Sequence, residues 1–126
     1  MRASTLSFCS AVCLGITGMV IGIIMAASGD HSVYPAHAHL NLLGWVSLFL
    51  IGLFYRLHPT LDISRVARIH VGIWIFGTVV LNCGVAAIFL GRTDLEPIAI
   101  AGSLIVLGDM LLFAYLVFRY ERSIMG

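Results

Sequence analysis

Four long apolar runs constrain this chain more than any other feature. A helix needs about 20 mostly apolar residues to cross about 30 Å of hydrocarbon. Four stretches meet that requirement: about Ser7 to Ser28, Pro35 to Leu57, Val66 to Leu90 and Pro97 to Phe118. Pro35 and Pro97 suit the first turn of a helix, where a missing N–H costs nothing. His58-Pro59 ends the second run, because the residue before a proline is pushed out of helical geometry. The expected fold is all-α, a single four-transmembrane-helix domain over residues 1–126.

Composition fits a chain dissolved in lipid. Charged residues make up 10% of it, against about 25% in soluble domains, and the mean hydropathy is +1.05. All seven basic residues are arginine, so a lysine-studded soluble surface is missing. A net charge of +1 with no basic run excludes nucleic acid as a partner. Cys9, Cys13 and Cys83 form no CxxC or zinc spacing and read as small packing residues, with a soft copper(I) contact as the alternative.

The first run has signal-peptide features in Arg2 and in Ala26-Ala27-Ser28. It is longer than the usual h-region of about 7–15 residues, so it reads as an uncleaved span. With four spans, Arg2, Arg56, Arg65, Arg68, Arg119 and Arg122 fall on one side and only Arg92 on the other. The positive-inside rule then puts both termini and the middle loop in the cytoplasm of a bacterial-type inner membrane. His37 and His39 lie near the outer surface. Glycines recur along the spans, including the Gly18–Gly22 GxxxG, and imply close helix packing and an oligomer.

Ionisable and polar residues at membrane depth are functional candidates: His37, His39, Asn41, His70, Asn82 and Asp109. On a helix, residues i and i+2 are rotated by roughly 200°. His37 and His39 then point to opposite flanks and serve two sites; only an extended segment would let them chelate one ion. His31 and Asp30 lie just outside and, with His39, offer N and O ligands for a surface metal site; a solvated loop is the plainer reading. His70 lies about 6 Å inside the opposite face, about 18 Å from His39 along the membrane normal, too far to share an ion with it. Asp109 sits mid-span and needs a partner or a proton; His70 and Asn82 are its candidate partners. A buried lock of the bundle and a proton relay are both open readings. Asn41 and Asn82 are expected to hydrogen-bond between helices.

The string Ala36-His37-Ala38-His39-Leu40-Asn41-Leu42-Leu43-Gly44-Trp45-Val46, continuing to Gly52-Leu53-Phe54-Tyr55-Arg56-Leu57-His58-Pro59, resembles the tenth helix of the catalytic subunit of C-type heme-copper oxidases. That helix carries a His-x-His, then Gly-Trp, then a Gly-x-x-Tyr stretch ending near a proline. The resemblance covers residues 36–59 of the 126. It implies that His37 and His39 are axial ligands of heme b iron, with Asn41, Gly44 and Trp45 beside the cofactor. It also implies a fold equivalent to one arc of the oxidase twelve-helix subunit, so that a homotrimer would rebuild the ring. In such a ring, His37 of one protomer and His39 of the next share a heme. The chain departs from the family in lacking the further copper-site histidines and the cross-linked His–Tyr element, so oxygen reduction is not expected of it.

The leading expectation is therefore a membrane b-type heme protein for electron transfer or redox sensing; whether it is an enzyme stays open, since only the copper-site chemistry of the oxidases is missing. The alternatives are a copper- or heme-handling assembly factor using His31, His37, His39 and Met25, and a cofactor-free accessory subunit of a respiratory complex. Its expected partners are the bilayer, copies of itself and respiratory-chain components.

Overall fold

The computed structural model describes residues 1–125, and it is helical along almost all of that length. Helix α1 covers Ala3–Ser28. The second span is one continuous rod made of α2 (Tyr34–His39), a π-helical stretch (Leu40–Ser47) and α3 (Leu48–Leu57). A short α4 (Pro59–Asp62) leads into α5 (Arg65–Phe89), and a 3-10 turn (Thr93–Leu95) leads into α6 (Glu96–Met125). Among the described residues, four helices are long and apolar enough to cross a membrane: Ala3–Ser28, Tyr34–Leu57, Arg65–Phe89 and Thr93–Tyr120. The first begins at Ala3 rather than Ser7, and the last runs beyond Phe118.

The ends follow local chemistry. Gly29 takes φ 70° and closes α1, its N–H donating to the Met25 carbonyl at 3.0 Å. Pro35 and Pro59 occupy first turns. Ser64 caps α5, its hydroxyl accepting from the Ala67 N–H at 3.1 Å. Asp62, 1% exposed, caps α1 from a distance: Ser4 N–H donates to one carboxylate oxygen at 2.7 Å and Ser4 Oγ to the other at 2.8 Å. A carboxylate at a helix N-terminus also meets the positive end of the helix dipole. This tie pins the start of α1 to the loop between the second and third spans.

Leu48, Ile51 and Tyr55 of the second span pack with Ala67, Val71 and Trp74 of α5 and with Ala3 and Ala11 of α1. Helix α6 lies on α5 at backbone contact. A Cβ added to Gly84 would sit 2.3 Å from Ala99 N, and one added to Gly102 would sit 2.3 Å from Leu81 N. Only glycine permits that approach. The π-helical stretch departs from the regular α-helix expected of the second span. Carbonyls along this stretch and just past it take side-chain donors from neighbouring helices: Leu43 O accepts from Trp74 Nε1 at 3.0 Å, and Leu48 O from Ser7 Oγ at 2.6 Å. Such widened turns survive where other elements satisfy the backbone.

Candidate functional site: two outer histidines and one buried histidine

The start of the second span carries His37 and His39, and the helix sends them to different surroundings. His37 is half-buried against α1 and His39 is exposed. Side chains 37, 41 and 45 recur every four residues and lie along the glycine face of α1. A Cβ on Gly22 would come 2.9 Å from His37 Cε1, one on Gly18 would come 2.6 Å from Asn41 Nδ2, and one on Gly15 would come 3.0 Å from Trp45 Cγ. The glycines of α1 thus form the seat for the polar stripe of the second span.

Both rings are held through the same atom. His37 Nδ1 lies 2.9 Å from the Gly18 carbonyl and His39 Nδ1 lies 2.7 Å from the Pro35 carbonyl. A carbonyl only accepts, so each Nδ1 carries the hydrogen and each neutral ring keeps its lone pair on Nε2. That is the tautomer of an imidazole prepared to ligate a metal through Nε2, with a backbone carbonyl orienting the ring from behind. Asn41 donates to the His37 carbonyl at 2.9 Å; its 3.3 Å approach to His37 Nδ1 is the weaker contact, because a donating ring nitrogen has no lone pair to offer.

Below His39 the outward face of the second span is apolar, with Leu42 59%, Phe49 43% and Leu50 58% exposed. Trp45, Val46, Phe49 and Leu50 line an open groove of about 290 Å³ there. Trp45 contributes to that groove while resting on Gly15. Gly44, by contrast, is buried and turned to α1, where an added Cβ would meet Leu14 Cβ at 3.1 Å. Gly44 therefore belongs to the packing between the first two spans and not to the groove.

The contacts seen in the outer loop are its own: His31 Nδ1 lies 3.1 Å from the Gly29 carbonyl, the same kind of anchor that His37 and His39 have. Asp30 accepts from both the N–H and the hydroxyl of Ser32, which hold its carboxyl below the usual range. Among the described residues, no three His, Cys, Asp or Glu side chains gather as ion ligands. The two asparagines also differ from expectation. Asn82 donates to the Thr78 carbonyl of its own helix at 2.8 Å, as Asn41 does to His37. Each amide has a carbonyl one turn back within reach, so neither forms a hydrogen bond between helices through its NH2 group.

The third histidine lies at the other end of the bundle. His70 is fully buried, with its Nδ1 2.9 Å from the Tyr55 hydroxyl and its Nε2 3.5 Å from Asp109 Oδ2. The second contact is within ion-pair distance but is not aligned as a hydrogen bond, and His70 Nε2 and both Asp109 oxygens find no hydrogen-bond partner in the protein. Phe113 stacks on the imidazole at 5.1 Å with the rings 17° apart. Of the two candidate partners of Asp109, the structure brings it to His70. Tyr55 was not singled out in the sequence beyond its place in the Gly-x-x-Tyr stretch. Its signal was a lone hydroxyl in an apolar run, close to the span end that faces His70.

Compared with protein-family models, curated proteins and solved structures, the chain matches none.

Proposed function

We propose that the chain is a multi-pass membrane protein that holds b-type heme through His37 and His39 and serves in electron transfer or redox sensing. One observation carries this reading: His37 and His39 lie on opposite flanks of one helix, each with Nδ1 on a backbone carbonyl and Nε2 left to bind a metal; His31 and His58 share the carbonyl anchor but not this pairing. The donor set fits heme iron, which takes histidine nitrogen as an axial ligand. His39 offers its nitrogen from an exposed position above an apolar groove suited to a flat macrocycle. His37 offers its own from the flank against α1, which makes it the ligand for a second position.

Since the two rings diverge, two ligands for one iron come from two copies of the chain. The exposed stripe of Leu42, Val46, Phe49 and Leu53 supports a helix that faces other protomers, and the resemblance of residues 36–59 to the oxidase helix favours a trimer. A bound heme would supply a one-electron iron couple, and two imidazole ligands leave no open position for dioxygen. The chain's own contribution is to orient the imidazoles and keep the site in a low-dielectric setting. The arginine-rich side, which carries both termini, is placed in the cytoplasm. Respiratory-chain proteins are the proposed redox partners.

Protein purified from a heme-replete host tests this. A pyridine hemochrome giving one heme b for each chain, with sharp reduced-state bands lost in both His37→Ala and His39→Ala, is the expected result. Colourless protein would overturn it. Colourless protein with bound copper would move the reading to metal handling.

A further inference from the structure

We propose that Tyr55, His70 and Asp109 form a buried proton-binding site that takes up and releases one proton through a tautomer change of His70. This site is independent of heme. It lies at the end of the bundle opposite His37 and His39, because the starts of the second span and of α5 are at opposite ends of antiparallel helices.

Three spans each contribute one group to the site. Tyr55 and His70 are fully buried and Asp109 is 3% exposed. Tyr55 Oη lies 2.9 Å from His70 Nδ1, and Asp109 Oδ2 lies 3.5 Å from His70 Nε2. Phe113 covers one face of the imidazole, and Phe54 packs edge-on against both Tyr55 and Phe113, with centroids 5.7 Å and 5.2 Å away. A purely structural lock would have Nε2–H aligned on the carboxylate. Here the nitrogen and both carboxyl oxygens remain without a hydrogen-bond partner, so the cluster has spare capacity for a proton.

The chemistry permits two arrangements, because the hydroxyl and each ring nitrogen can either donate or accept. In the first, Tyr55 donates to Nδ1 and the His70 Nε2–H faces the Asp109 carboxylate. On proton uptake the Tyr55 oxygen passes its hydrogen to Nδ1 and takes the incoming proton, while Nε2 hands its hydrogen to Asp109 Oδ2. The second arrangement has a Tyr55 hydroxyl, a His70 with hydrogen on Nδ1 and a protonated Asp109 that donates to Nε2. One proton has entered, the cluster has gone from one negative charge to neutral, and only O–H and N–H bonds have changed. Both arrangements keep the imidazole itself uncharged, which a fully buried ring favours.

The other ionisable groups at this end are already engaged or face outward. Asp62, from α4, is held by Ser4. His58 donates through Nδ1 to the Phe54 carbonyl at 2.6 Å, and its ring meets Tyr120 of α6 at 4.7 Å. Arg65 and Arg68 of α5 and Tyr115 and Arg119 of α6 are exposed. Among the described residues of α1, the titratable side chains are Arg2 at its N-cap, Cys9 and Cys13, all exposed.

The test uses the full chain in lipid nanodiscs, with 13C-carboxyl aspartate for infrared spectroscopy and 15N-histidine for NMR, titrated from about pH 5 to about pH 9. The expected result is one carboxylic-acid band that is lost as pH rises. It is absent in Asp109→Asn, and one histidine moves its hydrogen from Nδ1 to Nε2 over the same interval. Tyr55→Phe, which removes one hydroxyl, should shift the shared midpoint by about one pH unit. Should Asp109→Asn not fold, the coupled carboxyl and tautomer titration in the unaltered chain and its shift in Tyr55→Phe decide the matter. An aspartate band and a histidine tautomer that both stay constant across the range would overturn the proposal.

Discussion

His39 and His70 are the same residue type at the two ends of one bundle, and their surroundings give them opposite chemistry. His39 is exposed, with one nitrogen tied to a carbonyl of its own helix and the other open. His70 is buried, and both its nitrogens face side chains from other helices. A ring anchored to backbone has one fixed tautomer and suits a ligand. A ring set between a hydroxyl and a carboxyl has two arrangements and suits a proton. What separates the two is whether the neighbour of each nitrogen can reverse its hydrogen-bond role.

That contrast can be broken at several points. The largest effect is expected from Gly102→Leu, which forces α5 and α6 apart because the new Cβ meets backbone that cannot turn aside. The expected cost is about 3 kcal/mol, read by chemical denaturation in detergent, together with loss of the His70–Asp109 approach. His70→Ala follows closely, at about 3 kcal/mol, because it empties the space of a fully buried ring stacked on Phe113 and leaves the buried Tyr55 hydroxyl without its partner. If His70→Ala proved as stable as the parent, the buried end would not be a coupled cluster.

Smaller effects separate the two ends more finely. Tyr55→Phe leaves His70 Nδ1 without its partner and should cost about 1–2 kcal/mol. Gly22→Ala places a methyl 2.9 Å from His37 Cε1, so the ring must shift. We expect about 1 kcal/mol and an altered histidine NMR signature at the outer end only. In heme-free protein, His39→Ala should change stability by less than about 0.5 kcal/mol, and in protein from a heme-replete host it is expected to lack the heme bands. A large loss of fold from His39→Ala would mean that the exposed ring is structural.

Much of the outer end could be read along the chain. Hydropathy located four spans because helix length and bilayer thickness are matched, and prolines marked the helix starts. The divergence of His37 and His39 followed from helical rotation alone. The anchor on His37 was not legible, because Gly18 O belongs to another helix and any of the α1 carbonyls was equally available in sequence. The π-helical stretch was hidden for a related reason: it survives because Trp74 and Ser7 reach in from elsewhere. The capping of α1 by Asp62 joins residues 58 positions apart, and no local pattern announces it.

The sequence by itself determined that this chain folds as apolar helices of membrane-spanning length, and that its two outer histidines point away from each other. Both follow from period and length, which are properties of one segment at a time. Only the tertiary structure decided that Tyr55, His70 and Asp109 meet, and that Gly44 turns to α1 while Trp45 lines the groove. On helices apolar on nearly every face, periodicity does not choose the packing side. That choice falls to the glycine contacts and the buried hydrogen bonds between helices, which exist only once the spans have come together.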